Sequence, residues 1–115
     1  DPVLVNYLLA HKGKAQFLFA TMYSEEAAPF IMDTGQPVMA LGGYNGSRSY
    51  LTRDQLIQQI NQDRVRFFLM PWSRDPAANW VITHCAAVPG NQWQSYNAAS
   101  YIVDELNLYN CTQHT

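Results

Sequence analysis

Three short apolar runs punctuate this chain, and the first two lead into segments of helical spacing before the next run begins. The runs are residues 15–21 (AQFLFAT), 37–41 (PVMAL) and 65–70 (VRFFLM). The first is a short continuous apolar run, the pattern of a strand buried on both faces, and the other two read as the second and third strands. Strand, helix, strand, helix, strand at this spacing builds βαβ units, whose strands are parallel and whose crossovers are right-handed. The expected fold class is therefore α/β: a small three-layer αβα sandwich, Rossmann-like, with three parallel strands plus an edge strand at residues 106–111 (LNLYNC). A length of 115 residues fits one compact domain covering 1–115 and leaves no room for two.

The helices carry recognisable start and stop signals. Val3, Leu4, Tyr7 and Leu8 recur at helical spacing over residues 2–10, with Pro2 in the first turn and Gly13 as the stop. Ser24 reads as the N-cap of a helix over 25–33, with Glu25 and Glu26 in the first turn and Thr34-Gly35 ending it. Pro29 is awkward inside that helix, and placing it in the first turn would shift the start towards Glu26. Thr52 reads as the cap of a helix over 53–62, with Leu56, Ile57 and Ile60 on one face. Asp75 reads as the cap of a helix over 76–84 that turns Trp80 and Val81 inward. Residues 88–94 read as irregular, and 96–105 are ambiguous between helix and strand.

Composition narrows the partners. Charged residues are 14% of the chain, hydrophobic residues 48% and aromatics 13%, against roughly 25% charged in an average soluble domain. So weakly charged a surface suits a sugar, a lipid-proximal face or the rest of a larger protein. A net charge of −2 with scattered Lys and Arg argues against nucleic acid. The longest apolar stretches, near 17–20 and 67–70, are strand-sized and far short of the ~18 residues that span a bilayer. Asp1-Pro2 at the start, with neither an initiator Met nor a signal-peptide pattern, is a first hint of a domain cut from something longer, although a processed mature protein would look the same.

Ligands of open α/β sheets sit beyond the carboxyl ends of the strands, here residues 21–25, 41–47 and 70–75. The middle segment, Gly42-Gly43-Tyr44-Asn45-Gly46-Ser47, is the most glycine-dense in the chain. Glycines there permit positive φ and would leave backbone N–H groups free for an oxyanion or a hydroxyl. These six residues, with Ser24 at the neighbouring strand end, are the candidate ligand-binding set. A tight strand-to-helix turn explains the same glycines without a ligand, and the loop is neither a Walker A motif nor a full dinucleotide fingerprint.

No catalytic set accompanies the loop. Glu25 and Glu26 could serve acid–base chemistry, but first-turn dipole partners are the plainer account, and the same holds for Asp54. His11, His84 and His114 lie far apart with no metal-ligand spacing, and adjacent His84 and Cys85 would diverge on a helix. Ser24, Ser47 and Ser49 lack a nucleophile-elbow context. Tyr44, Tyr50 and Trp72 are the loop aromatics placed to stack on a sugar or to pack on the sheet end. The two cysteines, Cys85 and Cys111, could by themselves be free thiols or a pair. No catalytic residue, metal ligand or cofactor site is assigned.

Three segments together are more specific than any one: 27–47 (AAPFIMDTGQPVMALGGYNGS), 51–70 (LTRDQLIQQINQDRVRFFLM), and the Trp80–Cys85 helix with the closing LNLYNC. The first matches a pattern AAP…TG.PVMA.GG..GS at Ala27, Ala28, Pro29, Thr34, Gly35, Pro37, Val38, Met39, Ala40, Gly42, Gly43, Gly46 and Ser47. The second matches LT…L……VR.FL at Leu51, Thr52, Leu56, Val65, Arg66, Phe68 and Leu69. A closing Leu108-Tyr109-Asn110 stands where the pattern has Leu-Tyr-Asp. Over roughly residues 3–111 the chain resembles the extracytoplasmic C-terminal domain of bacterial polytopic membrane glycosyltransferases, the mannosyltransferase-like or 4-amino-4-deoxy-L-arabinose-transferase-like proteins. Two departures stand out. Arg48-Ser49-Tyr50 replaces small, polar and acidic residues, which puts any acidic contact there in doubt, and 95–105 looks like an insertion.

The resemblance implies a parent integral membrane protein that uses a polyprenyl-phosphate sugar donor, with its catalytic carboxylate in the membrane portion. This domain would be a non-catalytic module on the extracytoplasmic face, assisting acceptor recognition or docking in cell-envelope glycosylation. Its partners would be the membrane portion of its own chain and a glycan or polyprenyl-phosphate-linked sugar. The extracytoplasmic setting favours a disulfide between Cys85 and Cys111. The competing reading is a stand-alone small α/β protein that binds a nucleotide or sugar phosphate at the glycine loop.

Overall fold

The computed structural model describes residues 2–42, 49–93 and 106–112, apart from the side chains of Glu25 and Glu26. In chain order the elements are α1 (Pro2–His11), β1 (Ala20–Thr21), α2 (Ser24–Thr34), β2 (Met39–Ala40), α3 (Arg53–Asn61), β3 (Phe67–Met70), α4 (Pro76–His84), β4 (Ala86–Ala87), α5 (Gly90–Trp93) and β5 (Asn107–Asn110). The strands form one mixed sheet in the order β2-β1-β3-β5-β4. β1 pairs in parallel with β2 (Ala20 opposite Met39) and with β3 (Ala20 opposite Phe68). β5 pairs antiparallel with β3 (Phe67 opposite Asn110) and with β4 (Ala86 opposite Asn110).

The three parallel strands are those expected from the apolar runs, but the antiparallel side of the sheet differs. The last strand is an inner strand, not an edge, because β4 covers it. Two exposed alanines make up β4, and alanine carries little strand preference, so the local sequence holds no sign of it. The first run is also less regular than expected: its ladder is confined to Ala20–Thr21. Upstream, the Phe17 N–H donates to Arg64 O at 2.9 Å and the Leu18 N–H to Pro37 O at 2.8 Å. The buried run therefore reaches towards both neighbours before true strand geometry begins.

Helix α2 corrects a second expectation. Tyr23, in extended conformation, is its N-cap without a side-chain bond, Ser24 is already helical, and Pro29 lies inside the helix. An interior proline forfeits a ladder bond. Here its ring lies on the exposed side while Ala27 packs into the core and Phe30 packs against it, so burial outweighs the local penalty. Gly35 ends the helix at φ 69°, with its N–H bonded to Ile31 O, a left-handed position suited to glycine. Thr52 and Asp75 cap α3 and α4 as expected, Thr52 through a full capping box with Gln55.

Successive residues of β3 face opposite ways, and all four are buried. Phe68 and Met70 join Leu56 and Ile60 of α3 and Ala77, Ala78 and Val81 of α4. Phe67 and Leu69 join Leu4 and Leu8 of α1, Ala27 of α2 and Trp93 of α5. β5 divides likewise, with Leu108 on the second side and Tyr109 on the first. Residues 88–94, expected to be irregular, contain the short α5, and its Trp93 indole N–H donates to Val88 O at 3.2 Å. The ambiguous segment 96–105 lies outside the described residues.

Cys85 and Cys111 form a disulfide, with Cα atoms 4.8 Å apart. The register explains it: Ala86 opposite Asn110 carries the preceding Cys85 towards the following Cys111, and the Cys111 N–H donates to Arg66 O. The bridge thus ties the end of α4 to the end of β5. Closing a loop of 26 residues stabilises by about 3.5 kcal/mol on the chain-entropy model. Reduction is expected to lower the free energy of unfolding by about that amount and to add two mass units to the intact protein. An unchanged denaturation midpoint after verified reduction would contradict it.

Burial lifts the Tyr109 phenol above its ordinary value of 10.0, against a smaller lowering by a hydrogen bond with Asn107. The folded state holds this proton more tightly than the unfolded chain. The contribution is therefore complete below about pH 10 and is lost as pH rises through the folded value. Tyr109→Phe is expected to flatten the fall of stability on the alkaline side, as read from urea midpoints above and below pH 10.

Candidate functional site

The parallel strands end at one edge of the sheet, and the segments that leave them are joined there by backbone and carboxylate contacts. After β2 the Leu41 N–H donates to Thr21 O and the Gly42 N–H to Met22 O at 2.8 Å. Gly42 then forms an antiparallel bridge with Ser49, and the Tyr50 N–H donates to Leu41 O. The chain thus leaves the sheet at Gly42 and returns to the same place at Ser49.

Asp75 fixes that return point. One carboxylate oxygen accepts the Ser49 N–H at 2.9 Å. The other accepts the Ala77 and Ala78 N–H groups at 3.1 and 3.2 Å, capping α4. The Asp75 N–H donates to Ser73 Oγ at 3.1 Å, and Asn79 Nδ2 donates to Ser73 O. Ser49 Oγ accepts the Leu51 N–H at 3.0 Å, one residue before the Thr52 cap of α3. The N-termini of α3 and α4 therefore converge on an open cleft of about 370 Å³ lined by Ser49, Leu51, Thr52, Arg53, Asp75 and Pro76 among others.

Helix N-termini attract anions through their partial positive charge. Here the Asp75 carboxylate already occupies the α4 end, and Arg53 lies 3.4 Å from Asp54 in an exposed pair. The chemistry on offer is hydrogen bonding to polar, largely uncharged groups. Trp72 and Tyr50 border this edge at 64% and 76% exposure, and the Arg74 guanidinium lies 5.8 Å from the Trp72 ring centre.

Of the residues singled out from sequence, Gly42 closes the base of the loop against Ser49. It is buried, and its N–H is spent on Met22 O, so it offers no free donor to a ligand. Gly43, Tyr44, Asn45, Gly46 and Ser47 lie outside the described residues. Ser24 is exposed at the start of α2. Trp80, expected to turn inward, is half-buried against the core and stacks on His84 with ring centres 4.7 Å apart, while Val81 is fully buried. His84 bonds through Nδ1 to Trp80 O and Cys85 is in the disulfide, so the two form no dyad. Among the described residues no group of three or more His, Cys, Asp or Glu gathers as metal ligands. The Asp75–Ser49 contact spans 26 positions. From sequence only its capping half was visible.

The family model described as "Putative mannosyltransferase YkcB-like, C-terminal" matches residues 4–85. The chain belongs to this family. It is 34% identical over 96 residues to "Putative mannosyltransferase YkcB" of Bacillus subtilis, covering 80% of this chain and 13% of that protein. It is 39% identical over 70 residues to "Putative mannosyltransferase YycA" of the same organism, covering 61% of this chain and 10% of that protein. The chain thus spans only a small part of the relatives it matches. No solved structure matches it. The family match takes in the whole clamp, from Gly42 through Ser49 to Asp75 and α4.

Asp75→Ala removes a helix cap and the anchor of Ser49 together. A cap alone is worth ~0.5–2 kcal/mol, so a loss at or above the top of that range is expected. Amide exchange should accelerate at Ser49, Ala77 and Ala78, with Thr52 and Gln55 as internal references. Unchanged protection at Ser49 would show that the clamp does not hold the loop base.

Proposed function

We propose that this chain is the non-catalytic, extracytoplasmic module of a polyprenyl-phosphate-sugar-dependent membrane glycosyltransferase. It would assist acceptor recognition or docking in cell-envelope glycosylation. The observation that carries this reading is the family match over 4–85 in a chain closed by a disulfide. Disulfides persist in oxidising, extracytoplasmic settings. None of the described helices is long and apolar enough to cross a membrane, so the spans and the prenyl site would belong to the rest of the parent. Buried clusters on both sides of the sheet support the three-layer, Rossmann-like description.

Glycosyl transfer needs a carboxylate base aimed at the acceptor. At the sheet's carboxyl edge the Asp75 oxygens are engaged by backbone N–H groups. The role that fits is holding an acceptor, with any contact falling on the segment 42–47, Ser24 and the exposed aromatics. The stand-alone phosphate-binding reading is weakened by the inward bond of the Gly42 N–H.

The test uses the isotope-labelled domain with a polyprenyl-phosphate sugar and candidate glycan acceptors. The expected result is no transfer, with amide shifts at Gly43, Asn45, Ser47 and Trp72 on adding an acceptor. Turnover lost in Glu25→Gln or Glu26→Gln would make the domain an enzyme. Shifts confined to Gly13, Gly35 and Asp63 would place binding on the opposite edge.

A further inference from the structure

A second cleft, remote from the strand ends, opens between α1 and α2. It has a volume of about 290 Å³ and is lined by Pro2, Val5, Asn6, Phe30, Asp33 and Thr34. Its floor is firm. Phe30 packs edge-to-face on the buried Phe19 at 5.0 Å, and the Thr34 hydroxyl is bonded to Phe30 O. The apolar wall continues along α1: Leu9, one turn on from Val5, is 46% exposed. Asn6 and Asp33 add one amide and one carboxylate.

We infer that this cleft docks the N-terminal part of the same polypeptide, through an apolar segment that presents an amide or cationic donor to Asn6 and Asp33. Three observations select that occupant. The family model is that of a C-terminal portion, and the aligned region is 13% of one relative and 10% of the other, so in a protein of that length most of the chain precedes this domain. In such a protein, polypeptide N-terminal to the matched region would reach the domain through α1, whose Pro2 is part of the cleft wall. At about 290 Å³ the cleft is small for an enclosed ligand but takes the few side chains of a docked segment.

A modest contact suffices for such docking. A covalently joined segment is present at an effective concentration of about millimolar, and interfaces between domains of one chain are smaller and more polar than obligate ones. The inference rests on the proposed reading in one respect only, that the chain is attached to a larger glycosyltransferase. It adds which face turns inward, and it leaves the sheet's carboxyl edge outside that contact.

The test is photo-cross-linking in the full-length protein in membranes. Val5→p-benzoyl-phenylalanine places the probe in the cleft wall, and Leu9→p-benzoyl-phenylalanine places it one turn further along α1. Gln58→p-benzoyl-phenylalanine, on the exposed side of α3, is the control. A protease site inserted ahead of residue 1 releases the domain after irradiation. The expected result is that the Val5 and Leu9 probes leave the domain attached to the preceding polypeptide on a denaturing gel, while the Gln58 probe releases it. Release from all three positions overturns the inference, as does a product at twice the protein's mass or an adduct with lipid. If the cleft cross-links but sugar transfer is unchanged on deleting residues 1–115, docking stands and the acceptor role falls.

Discussion

Burial of β3 on both faces is the constraint to which the other elements answer. Phe67, Phe68, Leu69 and Met70 leave no side of the strand for solvent, so helices must cover both faces of the sheet and strands must cover both edges of β3. One edge is covered by β1 in parallel, which follows from βαβ connectivity. The other is covered by β5, which arrives from the far end of the chain and pairs antiparallel over four residues. That second pairing has no local crossover to hold it in place. It depends on Leu108 and Tyr109 packing to opposite sides and on a covalent closure just beyond the strand.

The disulfide supplies that closure where the domain is otherwise thin. β4 consists of two exposed alanines and gives β5 little side-chain packing. Cys111 is itself buried in the cluster of α3 and α4, and Cys85 packs against it, so the bridge is an extension of the core as well as a staple. It joins the end of the parallel half, at α4, to the antiparallel half.

What could be read from the sequence follows from where the deciding forces act. The three apolar runs and the caps at Thr52 and Asp75 are local, and the fold keeps them. The start of α2 is not set locally: Pro29 argues for a later boundary, while Ala27 and Phe30 secure the helix through tertiary contact. β4 was invisible because its pairing is specified by the partner strand. At the candidate site, the glycine-rich segment and its place at a strand end were legible. The Asp75–Ser49 bond was not, because both residues already had sufficient local roles, as a cap and as a loop polar group.

The same bond bears on what this edge is suited to hold. Two helix N-termini facing one cleft would ordinarily favour phosphate. A carboxylate placed at one of them, with its oxygens accepting from Ser49, Ala77 and Ala78, satisfies those donors and sets a negative charge in an anion's way. A neutral sugar meets no such repulsion, and it can use the remaining acceptor capacity of the carboxylate and the faces of the exposed Trp72 and Tyr50. On the proposed reading this divides the labour within the parent protein. The charged, lipid-linked donor would belong with the membrane portion, and an uncharged acceptor with the edge that Asp75 organises.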